Sequence, residues 1–238
     1  MFNSADRRIN DRDLAEIAPP WHTVLLLGYI LSPTSMALHL SQLVGIDIQV
    51  RPIRYLIIVS LQWSSILFIS YGLHLRKFSL RVLVGRTWSR WSDFRGDLYF
   101  ALLFLIAFVA ASTALYLFLG SPNLDHRAYT SASDPKNFQE LAVWIPVAIS
   151  TGIVEELIFR GYFLRQALAY LKRVDLAIFV QAILFSLAHG YSQTLTGFAH
   201  KFLLGVALGI LTQYRRGLLP AIMSHSLLDI VAGVTGVI

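Results

Sequence analysis

Three ionisable side chains, Glu155, Glu156 and Arg160, sit inside the otherwise apolar run from Thr151 to Leu164. In a soluble protein this would be an ordinary charged helix turn. The surrounding chain forbids that reading. Of its 238 residues, 55% are hydrophobic and only 14% are charged, which is far from soluble norms and points to a polytopic membrane protein. In a bilayer an ionised group costs several kcal/mol unless it is paired or wet, so such residues are functional candidates by default.

Hydropathy divides the chain into about seven expected spans: 21–44, 53–75, 96–120, 137–170, 174–190, 195–214 and 218–238. The fold expected is therefore all-α, a polytopic transmembrane helical bundle with an intramembrane polar cavity. Residues 1–20 read as a polar cytoplasmic N-terminus without the apolar region of a signal peptide. Residues 21–136 hold generic spans, and 137–238 hold the chemistry. The basic link 76–95 carries Trp88, Trp91 and Phe94, which suit the headgroup level. Pro146 marks an expected kink in the long fourth span. Gly205 and Gly209 form a small-xxx-small pair, a sign of close helix packing.

Charge distribution sets the expected orientation. With seven crossings and a cytoplasmic N-terminus, fourteen Lys and Arg residues fall inside and five outside, Lys201 among the latter, with Arg160 left in the membrane. The positive-inside rule then places the C-terminus on the opposite side, in a bacterial-type inner or plasma membrane. The net charge of +6 is read as this loop bias and not as nucleic-acid binding, because no basic stripe with interleaved aromatics appears. The absence of cysteine excludes disulfides, thiolate metal sites and cysteine nucleophiles.

Two later stretches carry polar groups that packing does not require. Phe185 and His189 are four apart near the end of the fifth span, and His225 and Asp229 are four apart in the seventh. Each pair shares one helix face. At ~1.5 Å per residue, Glu155, His189 and Asp229 lie ~20–27 Å from their basic helix ends, with His225 shallower at ~14 Å. Glu156 and Arg160, also four apart with the acid first, suit an ion pair that neutralises itself. Glu155 is rotated by about 100° from Glu156 and is left needing a histidine or water. A carboxylate beside an imidazole in a partly dry pocket can act as general base toward a water molecule. His39, His74, His126 and His200 lie near span ends or in loops and are read as structural.

Glu155-Glu156-x-x-x-Arg160, Phe185-x-x-x-His189 and His225-x-x-x-Asp229, in that order, resemble the three motifs of the CPBP family. These are intramembrane proteases related to the CAAX prenyl endopeptidase and to bacteriocin-processing or immunity proteins. Gly205-x-x-x-Gly209, followed by Arg215-Arg216-Gly-Leu-Leu-Pro220, adds to the resemblance, which runs from about Leu141 to Gly233. It implies a helical membrane bundle with a water-filled cavity and hydrolysis of a peptide bond in a membrane-associated protein or peptide. It implies that Glu155 activates the water with help from His189. It implies further that His225 and Asp229 stabilise the oxyanion or orient the water, and that Arg160 is structural.

Asp229 stands where many members of the family have Asn. An amide donates a hydrogen bond and an ionised Asp cannot. Asp229 must then be protonated, orient His225, or ligate a metal. Glu155, His189, His225 and Asp229 also form a credible N2O2 set for zinc. The metal-independent reading is preferred, because the chain has no HExxH helix and the four groups come from three helices. The rival class is a non-catalytic transporter or bacteriocin-immunity factor with the polar set as an ion path. A serine protease is less suited, since Ser186, Ser224 and Ser226 lack a nucleophile motif. Substrate identity and oligomeric state are not legible in the sequence.

Overall fold

The computed structural model describes residues 15–32, 51–119, 135–189 and 195–237. The expected first span after Ser32, residues 45–50 and 120–134, His39, His126 and the end of the fifth span at Gly190 lie outside the described residues. Among the described residues the chain is helical, with no strand and a single isolated β-bridge. The helices are α1 (Pro20–Leu31), α2 (Arg51–Leu75), α3 (Arg81–Val84), α4 (Trp91–Leu119) and α5 (Phe138–Glu156). A π-helical segment (Leu157–Phe163) follows, then α6 (Leu164–Leu171), α7 (Val174–Ala188), α8 (Leu195–Arg215) and α9 (Leu219–Val237).

Four of these stretches are long and apolar enough to cross a membrane: Ile53–Leu75, Trp91–Leu115, Phe138–Leu171 and Leu195–Arg215. Pro20–Leu31, Val174–Ala188 and Leu219–Val234 are shorter apolar helices. A bilayer core leaves no water to satisfy peptide groups, so an apolar run of this composition resolves into helices. The side chains turned outward fit that solvent: Leu56, Leu67, Ile106, Leu117 and Phe118 are large, apolar and exposed.

The long fourth span stays helical through Pro146, and its winding changes at Leu157. Its start is fixed by a reciprocal cap. The Asn137 side chain accepts from the Glu140 amide at 2.9 Å, and the Glu140 carboxylate accepts from the Lys136 amide at 3.0 Å. Beyond Glu156 the segment winds with i→i+5 bonds, ending with the Leu164 amide on the Phe159 carbonyl. Every residue of this segment is buried. Short π-helical insertions occur often at functional sites.

Around this helix the others close. α9 packs along α5, α8 along α7, and α6 folds back against α7. Close approach of α8 and α7 requires glycine, as the spacing of Gly205 and Gly209 predicts. A Cβ on Gly205 would stand 2.9 Å from both Cα and Cβ of Ala182, and one on Gly209 would stand 2.9 Å from Gln181 Nε2. A Cβ on Gly152 of α5 would run into the Ser226 hydroxyl of α9.

Two polar clamps join the N-terminal helices to this core. At one, the buried Asp97 carboxylate accepts from Arg86 Nη2 at 2.6 Å, from Arg215 Nη2 at 2.6 Å and from Trp88 Nε1 at 2.8 Å. Beside it Gly85 and Gly217 form the β-bridge, with the Arg86 amide on the Arg216 carbonyl and the Leu218 amide on the Val84 carbonyl, both at 2.9 Å. Gly85 has φ +70°, a conformation that favours glycine. Trp88 and Trp91 of this link are exposed, as an interfacial position requires.

At the other clamp the described residues just before α1 turn inward. Ile17 and Ala18 are buried. The Ile17 amide donates to Gln166 Oε1 and Gln166 Nε2 donates to the Ala18 carbonyl, both at 2.9 Å. His22, also buried, donates from Nε2 to the Phe68 carbonyl at 2.8 Å and accepts the Tyr162 hydroxyl on Nδ1 at 2.8 Å. Sequence reasoning passed over His22, Tyr162 and Gln166.

The packing at Gly205 gives a direct expectation. A Gly205→Leu variant should unfold earlier on heating in detergent, by ~1–3 kcal/mol of overpacking. Gly28→Leu, where nothing lies within 4 Å of the added Cβ, should stay within ~0.5 kcal/mol of the parent. Equal melting of the two variants would contradict the packing described.

Candidate active site

Glu155 and Glu156 end α5 just before the π-helical segment. Neighbouring positions on a helix point in different directions, and the two carboxylates go to different partners. Glu156 is fully buried and pairs with Arg160 through Oε1 and Nη1 at 2.8 Å. This is the self-neutralising pair that the i,i+4 spacing predicts. Arg160 also lies with its guanidinium carbon 4.4 Å from the centroid of the Phe185 ring, which gives that apolar position a reason of its own.

Glu156 has a second bond that spacing could not reveal. The same Oε1 lies 2.7 Å from His225 Nδ1, across 69 residues of chain. A carboxylate only accepts, so His225 donates from Nδ1 and turns Nε2 away from Glu156. His189 is held the same way. Its Nδ1 lies 2.7 Å from the Phe185 carbonyl, also an obligate acceptor. Both rings thus present Nε2 outward, and both face Glu155. Glu155 Oε2 is 3.8 Å from His189 Nε2 and 3.7 Å from His225 Nε2. Asp229 Oδ2 is 3.8 Å from His225 Nε2.

These gaps exceed hydrogen-bond length, so the groups face one another without a direct hydrogen bond. In their neutral forms the two imidazoles offer only acceptors at Nε2, and so does the carboxylate. Glu155 Oε2 is buried with no hydrogen-bond partner. Such an atom calls for a donor that the chain itself does not supply. A water molecule, a proton or a cation meets that need. The side chains of Glu155, His189 and Asp229 retain partial exposure of 17%, 24% and 28%, against 0% for Glu156 and Arg160. The Glu155 side is therefore the reachable side, and the Glu156 side is its dry backing.

The structure brings Glu155, His189, His225 and Asp229 together, with Glu156, Arg160 and Phe185 behind them. It does not bring in the serines. Ser186 and Ser224 donate to the carbonyls of Phe198 and Pro220, and buried Ser226 has no hydrogen-bond partner among the described residues. His200 meets Ser112 at 3.1 Å, away from the set, in line with its structural reading. Lys201 belongs inside α8, not in an outer loop, and its charge acts on Glu155, His189 and Asp229. A lone lysine in an apolar helix was the available signal, and loop counting hid it.

Zinc is tested against the donors themselves. Two imidazole nitrogens and two carboxylates suit it by type, but the separations of 3.7–3.8 Å are wider than the ~3.3–3.4 Å edges of a tetrahedron with ~2.0–2.1 Å bonds. Among the described residues no group of three or more His, Asp or Glu side chains is arranged to hold a metal ion.

One comparison agrees with the motif reading. Residues 137–231 match the family model described as Type II CAAX prenyl endopeptidase Rce1-like. The matched segment begins at the cap of α5 and ends just beyond Asp229, so it contains every residue of the set. No curated protein and no solved structure matches the chain.

The ion pair yields a stability expectation. Glu156→Gln leaves Arg160 as an uncompensated buried charge and should lower stability by ~3–5 kcal/mol, read as thermal unfolding in detergent. Replacing both, as Glu156→Leu with Arg160→Met, should recover most of that loss. A single variant as stable as the parent would show that the pair does not hold this turn.

Proposed function

We propose, from the Rce1-like match over residues 137–231, that this protein is an intramembrane endopeptidase. It hydrolyses a peptide bond of a membrane-associated protein or peptide with a water molecule activated by Glu155. The observation that carries this reading is the buried, partnerless Oε2 of Glu155, faced by two imidazole nitrogens.

The proposed reaction uses Glu155, His189 and His225. A water between them donates one proton to Glu155 Oε2 and another hydrogen bond to His189 Nε2, and its oxygen attacks the scissile carbonyl carbon. The carbonyl oxygen becomes the oxyanion. His225, held by Glu156 through Nδ1, offers Nε2–H to that oxyanion when it carries its second proton. Three carboxylates, those of Glu155, Glu156 and Asp229, lie within 4 Å of this ring and supply the counter-charge for an imidazolium. The C–N bond then breaks, and the proton held by Glu155 passes to the leaving amine. Asp229 shares a helix face with His225 and, 3.8 Å from its Nε2, adds to that counter-charge.

We propose this mechanism without a metal. If zinc is bound, Glu155, His189, His225 and Asp229 would hold it, and it would supply Lewis-acid polarisation of the carbonyl. The donor spacing and the origin of the groups in three helices support the metal-free form. The proposed orientation has the N-terminus in the cytoplasm, in line with the charge count, and the bilayer delivers the substrate. The matched family's name refers to prenylated CAAX substrates. For this chain the proposed class is the broader one, a polypeptide held at the membrane.

Membranes of a strain carrying the parent protein and one carrying Glu155→Gln should differ by at least one protein whose cleavage product is lost with the variant, read by quantitative proteomics of peptide termini. Identical termini in both strains would favour a non-catalytic ion path over hydrolysis. For the substrate so found, Asp229→Asn should keep activity within about tenfold of the parent, because Glu156 still orients His225 through Nδ1 and two carboxylates remain beside the ring. Loss of activity on chelation, restored by zinc, would overturn the metal-free mechanism.

A further inference from the structure

The proposed hydrolysis leaves one charged group at the site unused. Lys201 lies in the second turn of α8 (Leu195–Arg215) and is partly buried. It stands on the face that α8 turns to the core. Three residues before it, the Phe198 carbonyl accepts from Ser186 of α7 at 2.9 Å. Four residues after it, Gly205 abuts Ala182, and its carbonyl accepts from Gln181 Nε2 at 2.8 Å. Residues three and four apart share a face, so Lys201 sits level with the end of α7, where His189 is held. Its charge acts on Glu155, His189 and Asp229 together, yet it forms no ion pair or hydrogen bond with any described residue.

A lysine near a helix end can bend its ammonium out to the membrane surface. Here the face is turned the other way, toward three groups of the reactive set. An ammonium in an apolar helix is expensive without an anion nearby. The carboxylates of Glu155 and Asp229 are near enough to feel it and too far to pair with it. That leaves a gap for an anionic group brought by the substrate. The anions that an unmodified peptide can bring are carboxylates, either at its C-terminus or on Asp and Glu side chains.

We propose that Lys201 is the substrate-carboxylate anchor of the cleft, a specificity-determining residue that fixes where the peptide is cut relative to that carboxylate. This rests on the endopeptidase reading. Such an anchor adds one charge-assisted hydrogen bond to substrate binding, worth about ten- to hundredfold in affinity.

The chain has four lysines, Lys77, Lys136, Lys172 and Lys201, so 13C-dimethylation gives a simple lysine NMR spectrum. Lys201→Met identifies the resonance of interest by its loss. The protein used is Glu155→Gln in detergent micelles, which holds peptide without cutting it. Three short apolar peptides are titrated: one with a free C-terminal carboxylate, its carboxamide twin, and a carboxamide with one internal Asp. The Lys201 resonance should shift with the first and not with the second. A shift with the third alone assigns the anchor to an acidic side chain, and a shift with both carboxylate peptides assigns it to either source. No shift with any peptide, or equal shifts with all three, overturns the proposal. Cleavage is followed in parallel with the parent enzyme and Lys201→Met on the substrate found by proteomics and on forms of it lacking each carboxylate. The parent should favour the carboxylate form about tenfold or more through KM, and Lys201→Met should lose that preference while still cutting the neutral form. A preference that survives in Lys201→Met overturns the proposal and leaves the endopeptidase reading intact. Carboxylate-dependent shifts without any cleavage keep the anchor and remove the endopeptidase.

Discussion

One buried carboxylate oxygen organises this site. Glu156 Oε1 receives Arg160 from its own helix at 2.8 Å and His225 from α9 at 2.7 Å. The first contact makes a negative charge tolerable in the apolar interior. The second converts that charge into an orientation, because a ring that donates from Nδ1 must aim Nε2 elsewhere. Breaking the first would leave a stranded charge. Breaking the second would let His225 turn.

The same logic repeats at His189, with the Phe185 carbonyl in place of the carboxylate. Phe185 therefore serves twice, through its backbone toward His189 and through its ring toward Arg160. The adjacent carboxylates of α5 divide the work. Glu156 faces the dry backing and Glu155 faces the reachable side. The neighbouring π-helical segment carries both Arg160 and Tyr162, and Tyr162 is tied to His22 of α1. Asp97, with Arg86, Arg215 and Trp88, pins the turn from which α9 starts. The N-terminal helices thus brace the two elements that supply Glu156 and His225.

Much of this was legible in the sequence, for reasons that differ by level. Apolar runs become helices because a bilayer offers no other partner for the backbone, so the long spans could be placed within a few residues. The Glu156–Arg160 pair and the Gly205–Gly209 contact follow from helical spacing. What spacing cannot supply is a partner on another helix. The bond from His225 to Glu156 and the convergence of two rings on Glu155 arise only when α5, α7 and α9 meet. Counting lysines by loop assigned Lys201 to the outside, because position along the chain does not tell which way a side chain turns. The burial of Ile17 and Ala18 was likewise hidden, since polar flanking residues read as solvated until their hydrogen-bond partner Gln166 is in view.

Both imidazoles are held through Nδ1 and present Nε2 to Glu155. Solution or solid-state NMR of protein labelled with 15N at the histidine rings reads this directly, with His189→Gln and His225→Gln variants assigning the two residues. A proton is expected on Nδ1 of both rings, with the Nδ1 signal of His225 moving when Glu156 is changed to Gln. A bare Nδ1 on His225 with the proton on Nε2 would contradict it.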